Sequence, residues 1–296
     1  MTQFLSLLLN GLSLGAIYAL IAMGFAVIFK ASEVVNFAHG SLLLLGAFLI
    51  ARLHDALGFP LAVIVGVAGT ALAGLVIERA LIRSLRGAPV IALAIMTIGV
   101  DILISTELTR EIGSDILSVG HPWGGDSVQF GGVGISQNRL IAMGVAALLI
   151  VAFFAATKYS SWGVSMRAAA EDGEAAALMG IRLGRVSAVA WLVAGSLAAV
   201  AGLFLTGTPT PGVTPGISAT ALRAFPAAIL GGLDSTGGAL VGGMIIGVTE
   251  SLTAGYQEQL SFLGRGFGDV VPYVVMIAVL LVRPSGLFGT RELARV

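Results

Sequence analysis

Cysteine is absent from the 296 residues of this sequence, and charged residues make up only 11% of it. Without cysteine there is no disulfide, no thiolate nucleophile and no cysteine-ligated metal. Ordinary soluble domains carry about 25% charged residues, so this composition does not fit a water-soluble core. The formal net charge is zero, which gives no indication of a nucleic-acid partner.

Catalytic motifs are also missing. No Ser/His/Asp set and no HExxH sequence is present, and His39 has no second histidine or carboxylate at a metal-binding spacing. The segment GGLDSTGG lacks the lysine and the strand context that a phosphate-binding loop requires. We therefore expect no catalytic residue, no metal site and no cofactor in this chain.

Long uncharged runs dominate the sequence, which is 57% hydrophobic with a mean hydropathy of +0.99. A helix needs about 20 apolar residues to cross a bilayer, so we predict an all-α, polytopic membrane protein with about eight or nine membrane segments in a single domain, residues 1–296. The predicted segments are Phe4–Phe29, Gly40–Ala51, Pro60–Ile82, Pro89–Leu108, Leu140–Thr157, Val186–Thr206, Thr220–Leu233, Thr236–Gly255 and Val270–Val282.

Two of these segments have special features. The first run lacks a basic leader and is too long for a cleaved signal peptide, so we expect it to remain as a membrane span. Thr220–Leu233 contains Pro226, which favours a half-helix or a re-entrant segment.

The distribution of basic residues predicts the orientation, because loops rich in Lys and Arg stay in the cytoplasm. With the N-terminus outside and the C-terminus in the cytoplasm, most of the 16 basic residues fall in cytoplasmic segments. Those segments are 30–39, 79–88, 158–185 and 283–296. The extracytoplasmic loop is then 109–138, whose glycine-rich VQFGGVGIS portion favours a small hairpin. Residues 207–216 read as an irregular outer connection, because Pro and Gly recur through them.

The segment RAAAEDGEAAALMGIRLGR, within residues 163–185, predicts a compact helix between two spans that ends at Gly180. Its acidic and small residues suit a docking surface that couples the spans to a soluble partner. The alternative is a solvated helix that only joins the two spans, and the spacing alone leaves both open. The residues predicted for coupling are Arg167, Glu171, Asp172, Glu174, Ala175, Ala176, Met179 and Gly180.

Polar residues near the spans are the other candidates. Asn36 and His39 stand at the mouth of a span, where they line a path, or else this stretch only starts a helix with Asn36 or Ser41 as its N-cap. Acids inside spans are costly in lipid and suggest function or paired burial. We expect Asp101 and Glu250 to face the protein interior, and Glu78, near an interface, to be solvated.

Glycines in the spans recur at spacings that favour close contact between helices. We expect close packing of helices to be the role of seven glycines, which lie in two parts of the sequence. The set comprises Gly40, Gly46, Gly231, Gly238, Gly242, Gly243 and Gly247.

Four motifs, in order along the chain, closely resemble the permeases of branched-chain amino-acid ABC importers of the LivH type. They are NFAHGSLLLLGAF, RAAAEDGEAAALMGIRLGRV, AAILGGLDSTGGALVGGMIIGVTESL and LLVRPSGLFG. The resemblance implies a bacterial inner-membrane subunit that pairs with a second, related permease of the LivM type. It also implies two cytoplasmic ATP-binding subunits, docked at Arg167–Gly180, and an extracytoplasmic solute-binding protein. No ATP-binding loop is present in this chain, in agreement with hydrolysis on a partner.

The resemblance further implies alternating access, with a small cavity between the two permeases. The residues expected to line it are Asn36, His39, Thr97, Asp101 and Glu250. Importers of urea and short amides have permeases of much the same pattern, so the solute stays open. Two other classes also stay open: an ion-coupled secondary transporter using Asp101 and Glu250, and a structural membrane subunit.

Overall fold

The computed structural model describes residues 2–85, 87–123, 126–130, 133–207, 212–264 and 266–290. Several positions used in the predictions lie outside these residues. They are Arg86 of the segment 79–88, 124–125 of the predicted outer loop, the 131–132 turn of the predicted hairpin, 208–211 of the irregular connection, and 291–296 of the predicted cytoplasmic C-terminal segment.

The described residues contain eleven α-helices and one small hairpin. The helices are α1 Thr2–Ser32, α2 His39–Leu57, α3 Phe59–Ile77, α4 Val90–Ile112, α5 Gln137–Tyr159, α6 Ser161–Glu171, α7 Gly173–Leu178, α8 Leu183–Leu205, α9 Ile217–Gly231, α10 Thr236–Gly255 and α11 Phe267–Val282. The strands β1 Ser127–Phe130 and β2 Val133–Ser136 pair antiparallel, which confirms the predicted hairpin.

The predicted all-α polytopic class is confirmed. Within the described part of the chain, seven helices are long and apolar enough to cross a membrane, and α9 and α11 are shorter apolar helices. The 15 residues of α9 span about 22 Å at 1.5 Å per residue, less than the hydrocarbon thickness of about 30 Å. The exact number of crossings, and the re-entrant character of α9, therefore stay predictions.

Helix α1 is the centre of the bundle and packs against α5, α8, α9 and α10. Its residues from Gly15 to Ile28 are all buried, on every face of the helix. A helix that is apolar all round is stable only when neighbours cover every face. The central position of α1 therefore follows from its composition.

Glycines set the contact between α1 and α10. A methyl group on Gly11 would lie 2.7 Å from the Cα of Val248, and one on Gly243 would lie 2.5 Å from the nitrogen of Ala19. One on Gly247 would overlap the backbone of Gly15. Because no side chain separates the two backbones here, the helices approach more closely than larger residues would allow.

The remaining glycines of the predicted packing set also face other backbones. A methyl group on Gly46 would lie 2.5 Å from the Cα of Ala199, and one on Gly40 would lie 2.8 Å from the carbonyl oxygen of Ser218. Between α9 and α10, Gly231 lies directly against Gly238, and Gly242 against the carbonyl group of Ala227.

Pro226 lies inside α9 and has no N–H to donate to the carbonyl oxygen of Leu222, four residues earlier. The hydroxyl of Tyr273, in α11, donates to that same oxygen at 3.1 Å. The proline leaves the carbonyl oxygen of Leu222 without a donor from its own helix, and a neighbouring helix supplies one. A proline inside a membrane helix requires such a partner.

The segment after α11 returns to the turn between α9 and α10. The backbone nitrogens of Leu287 and Phe288 donate to the carbonyl oxygens of Leu230 and Gly231, at 2.8 and 3.0 Å. Asp234, in the turn, accepts a 2.8 Å bond from the backbone nitrogen of Thr290. Two of the sequence motifs, GGLDSTGG and RPSGLFG, therefore form one joint structure.

We expect Gly247→Ala to destabilise the protein, because the new methyl group overlaps the backbone of Gly15. Overpacking of this kind costs about 1–3 kcal/mol in the free energy of unfolding. Gly237→Ala, in the same helix, is the matched control, since nothing lies within 4 Å of the added methyl group. Thermal unfolding in detergent should show a lower melting temperature for the first variant only. Equal melting of both variants would contradict this packing.

Candidate functional site

The segment predicted as one coupling helix is two short helices, α6 and α7, that meet at Asp172. The backbone of Asp172 is extended, with φ −155°, and its carboxylate accepts a 2.9 Å hydrogen bond from the backbone nitrogen of Ala175. The expectation of one continuous helix is therefore wrong, because Asp172 serves as the N-cap of a second helix. Two backbone hydrogen bonds end α7: the nitrogen of Ile181 donates to the carbonyl oxygen of Ala176, and the nitrogen of Gly180 donates to the carbonyl oxygen of Ala177. Gly180 has a φ of 86°, which is common at the end of a helix.

Helix α6 is held firmly against the bundle. The indole N–H of Trp162 donates to the carbonyl oxygen of Val186 in α8 at 3.2 Å, and the side chain of Met166 is buried. The hydroxyl of Ser160 caps the first turn by accepting from the nitrogen of Gly163 at 3.1 Å. Contacts with α1, α5 and α8 follow from this seating. The guanidinium of Arg167 donates to the carbonyl oxygen of Thr157.

Helix α7, unlike α6, is mostly exposed. Ala176 faces inward and is buried, whereas Leu178 and Met179 are 88% and 84% exposed. The remaining predicted coupling residues, Glu171, Asp172, Glu174 and Ala175, are also exposed. Two exposed apolar side chains at the end of α7, and three acids around its beginning, form a surface suited to a protein partner.

A partly buried ion pair fixes the start of α8, a few residues after α7. Glu78 is 1% exposed, so the expectation that it is solvated is wrong. Its carboxylate accepts from the guanidinium of Arg83 at 2.9 Å, and Arg83 also donates to the carbonyl oxygen of Gly184 at 2.6 Å. The pair therefore ties the end of α3 to the first turn of α8.

Local backbone geometry explains why the sequence did not reveal this pair. Residues Glu78–Ile82 form a π-helical turn, in which the nitrogen of Arg83 bonds the carbonyl oxygen of Glu78. A π turn aligns residues five apart, whereas the ion pairs sought in a sequence are three or four apart. The spacing from Glu78 to Arg83 gives no signal in an ordinary α-helix.

Four of the five predicted path residues meet where α2 begins. Glu33, at φ 56°, ends α1 and turns the chain back, so that His39 packs against Gly24, about 12 Å before the end of α1. Residues 33–38 are thus non-helical, and Asn36 and Ala38 within them are fully buried. Irregular backbone at membrane depth must be covered by protein and paired.

Side chains of α4 provide that pairing. The hydroxyl of Thr97 accepts from the nitrogen of Phe37 at 3.1 Å, and a carboxylate oxygen of Asp101 accepts from the nitrogen of Ser41 at 3.0 Å. Asn36 accepts from the nitrogen of Ala38 at 3.1 Å. Asp101 therefore caps α2 from another helix, and its negative charge suits the positive end of the α2 dipole.

His39 is completely buried, and its ring stands 4.6 Å from the ring of Phe25. Within the described residues, neither ring nitrogen of His39 has a hydrogen-bond partner. Whether Asn36, His39, Thr97 and Asp101 line a path stays a prediction. The geometry gives Asn36 and Thr97 the structural task of pairing the backbone of the break, and gives Asp101 that of capping α2.

Glu250 lies apart from these four residues, on a cavity of 640 Å³. Its carboxylate accepts a 2.8 Å hydrogen bond from the hydroxyl of Tyr18, in α1. Arg223 stands 3.7 Å from Glu250 but only 3.0 Å from Asp269. The sequence pointed to Glu250 as an acid within a span, but it did not indicate Tyr18, Arg223 or Asp269 as its neighbours.

Among the described residues, no group of three or more His, Cys, Asp or Glu side chains is placed to hold a metal ion.

We expect Arg83→Ala to destabilise the protein more than Glu78→Ala. The first change leaves a carboxylate that is 1% exposed without its cation, whereas the second leaves an arginine that is 38% exposed and can turn to solvent. Removing one partner of a fully buried pair costs about 3–5 kcal/mol, and the exposure of Arg83 reduces this. Melting temperatures of the purified variants test the order, and the reverse order would refute the pairing.

We also expect Asp101→Ala to lower the melting temperature more than Asp101→Asn. Alanine leaves the nitrogen of Ser41 without its acceptor, at a cost of about 1–3 kcal/mol, whereas asparagine keeps an amide oxygen there. Asp115→Ala, at an exposed position, is the control and should melt like the wild type. The cap is disproved if Asp101→Ala also melts like the wild type.

The family model described as branched-chain amino acid transport system, permease component, matches residues 7–280. The chain is 33% identical over 313 residues to the high-affinity branched-chain amino acid transport system permease protein LivH of Salmonella typhimurium, covering 99% of this chain and 98% of that protein. Its identity to the corresponding permease protein BraD of Pseudomonas aeruginosa is 33% over 310 residues, with the same coverage.

A solved structure, PsaBC from Streptococcus pneumoniae in complex with Fab, aligns at a TM-score of 0.44 and 16% identity, over 95% of this chain and 89% of that one. The family resemblance drawn from the four sequence motifs is confirmed by the family match and by the near full-length relatives. The chain belongs to the family of branched-chain amino acid transport permeases.

Proposed function

We propose that this chain is the membrane subunit of an ATP-driven importer of branched-chain or other hydrophobic amino acids. The names of the LivH and BraD relatives describe high-affinity branched-chain amino acid transport. The proposed partners are two cytoplasmic ATP-binding subunits, a second permease of the LivM type and an extracytoplasmic solute-binding protein. The relatives are permease components rather than enzymes, so ATP hydrolysis is assigned to the partner subunits.

The proposed orientation puts α6 and α7 in the cytoplasm and the N-terminus outside. The segment that holds the two helices carries Lys158, Arg167, Arg182 and Arg185, and such basic segments stay on the cytoplasmic side. The hairpin β1–β2 and the loop around it then face outward, toward the solute-binding protein.

The exposed end of α7 carries the proposal. Leu178 and Met179 are among the most exposed large apolar side chains of the described residues, although α6 next to them is firmly seated. Burial of each such side chain against a partner contributes about 1.5–3 kcal/mol. An ATP-binding subunit that covers them would gain affinity from these two contacts, and Glu171 and Glu174 would fix its orientation by charge.

The seating of α6 explains how the partner would move the spans. Helix α6 contacts α1, α5 and α8, and the Arg83 bond to Gly184 extends the connection to α3. A displacement of α6 and α7 by the closing ATP-binding subunits would therefore reach four spans together. We infer that this motion alternates access to a weak substrate site. The substrate itself does not drive the change, because a ligand that binds both states equally does not shift the equilibrium between them.

We expect Leu178→Asp to abolish assembly with the ATP-binding subunits, because a charge replaces the apolar contact at the centre of the proposed surface. Phe262→Asp is the matched control, since Phe262 is 79% exposed but lies beyond α10, at the end that the proposed orientation places outside. Copurification of tagged chain with the ATP-binding subunits, followed by ATP-dependent leucine uptake in proteoliposomes, measures the effect.

The control should assemble and transport like the wild type. Normal assembly and uptake by Leu178→Asp would remove the docking role from α7. Uptake by this chain alone, driven by an ion gradient without ATP, would instead support an ion-coupled transporter.

A further inference from the structure

A cavity of 370 Å³ lies between α6 and the chain that enters α8. This volume falls within the range of about 300–1,000 Å³ that is typical of small-molecule sites. Helix α6 lines one side with Ser161, Trp162 and Ser165, and the turn after α7 and the first two turns of α8 line the other. The cavity shares no lining residue with the one beside Glu250, so the two are separate sites.

Arg182 and Arg185 supply the charge of this cavity, and no Asp or Glu is among its described lining residues. Within the described part of the chain, neither guanidinium has a carboxylate or hydrogen-bond partner. Arg83, at the same end of the bundle, is by contrast matched by Glu78. Two uncompensated guanidinium groups on one cavity are suited to bind an anion, and phosphate is an anion that arginine binds well.

The two guanidinium groups are placed to reach one anion. Arg182 and Arg185 are three residues apart, and the nitrogen of Arg185 donates to the carbonyl oxygen of Arg182 at 2.8 Å. Residues three apart in such a turn lie side by side. Ser161, on the facing wall, brings a hydroxyl group that can donate to the same anion.

The cavity lies at the level where a membrane span begins. The 23 residues of α8 extend about 35 Å at 1.5 Å per residue, enough to cross a hydrocarbon layer of about 30 Å. Arg182 is the N-cap residue of α8 and Arg185 lies in its first turn, so both arginines stand at the level of the lipid headgroups. Trp162 faces them across the cavity and donates to the carbonyl oxygen of Val186, and tryptophan is enriched at this boundary.

Apolar residues continue the cavity from this level toward the hydrocarbon. Val186 and Val189 follow Arg185 in α8 and line the same cavity, and Val189 lies about 6 Å deeper than Arg185 along the helix axis. A ligand that contacts both the arginines and the valines must carry an anionic group next to an apolar part. A free phosphate, or an acidic side chain of a partner protein, would use the arginines and leave the apolar wall uncovered.

We propose that this cavity binds the headgroup of an anionic phospholipid. Arg182 and Arg185 pair with the phosphodiester, and Val186 and Val189 contact the first part of an acyl chain. Basic pockets between spans at the membrane surface are suited to such headgroups. The site requires only that α8 spans the membrane, so it does not depend on the proposed function. Met179 borders the cavity and also belongs to the exposed end of α7, so a bound lipid would brace the segment that is proposed to dock.

The absence of cysteine makes a direct test possible on the full chain in nanodiscs. Ser165→Cys introduces one thiol on the cavity wall. Ser84→Cys places the control thiol outside the cavity, at an exposed position next to Arg83, which binds the start of α8. Labelling of the Ser165→Cys variant by N-ethylmaleimide should slow several-fold relative to the control when phosphatidylglycerol replaces part of the phosphatidylcholine. Millimolar inorganic phosphate in phosphatidylcholine nanodiscs should slow neither.

The charge contact is tested by Arg182→Gln together with Arg185→Gln in the Ser165→Cys background. Each basic residue near an anionic surface strengthens binding about fivefold, so the fraction of phosphatidylglycerol that gives half-protection should rise about tenfold or more. Arg79→Gln is the matched control, because Arg79 is exposed at the same end of the bundle but lies outside the cavity. Arg182→Lys with Arg185→Lys keeps both charges and should retain most of the protection, which separates loss of the site from loss of the fold.

Equal labelling in the two kinds of nanodisc overturns the proposal, and so does unchanged protection in the double glutamine variant. A loss of protection in Arg79→Gln as large as in that variant would indicate general attraction to an anionic surface and would also overturn it. Protection by inorganic phosphate alone would assign the cavity to a soluble anion. Protection that appears only when the ATP-binding subunits are added would assign it to that partner, and both results contradict a lipid site. Absence of ATP-dependent amino-acid uptake by the wild-type assembly would instead refute the proposed function alone.

Discussion

The pairing of backbone polar groups inside the bilayer is the constraint on which the rest of this structure depends. Hydrocarbon offers no water to a broken helix, so each break must be closed by protein. Tyr273 closes the break at Pro226, Thr97 pairs the backbone of the break before α2, and Asp101 caps the first turn of α2. These side chains come from other helices, so each break also fixes the position of a neighbour.

Close backbone contact is the second requirement, and it makes α1 the axis of the molecule. Lipid is as apolar as leucine, so packing, rather than escape from water, draws the helices together. Gly11, Gly15, Gly243 and Gly247 let α1 and α10 meet backbone to backbone. Helix α6, which carries the proposed docking segment, contacts this same central helix, so a force applied by a docked partner would reach the middle of the bundle.

Buried charge has different consequences at two places in the fold. Glu78 is matched by Arg83 at 2.9 Å, and this pair holds α3 to the beginning of α8. Glu250 accepts a 2.8 Å bond from Tyr18, and the guanidinium of Arg223 stands 3.7 Å from it. The first acid is fully paired and acts in stability, whereas the second retains acceptor capacity on a cavity.

Composition and run length alone determined the fold class, and four ordered motifs determined the family. Such features are local, so each predicted segment overlaps a helix, including the short α9, although the bounds differ by several residues. Tertiary structure alone decided which distant groups meet. The cap of α2 comes from Asp101, 60 residues away from Ser41, and Glu250 meets Tyr18 across 232 residues. The π turn that pairs Glu78 with Arg83, and the division of the coupling segment at Asp172, depend on local hydrogen-bond choices that hydrophobic patterns do not encode.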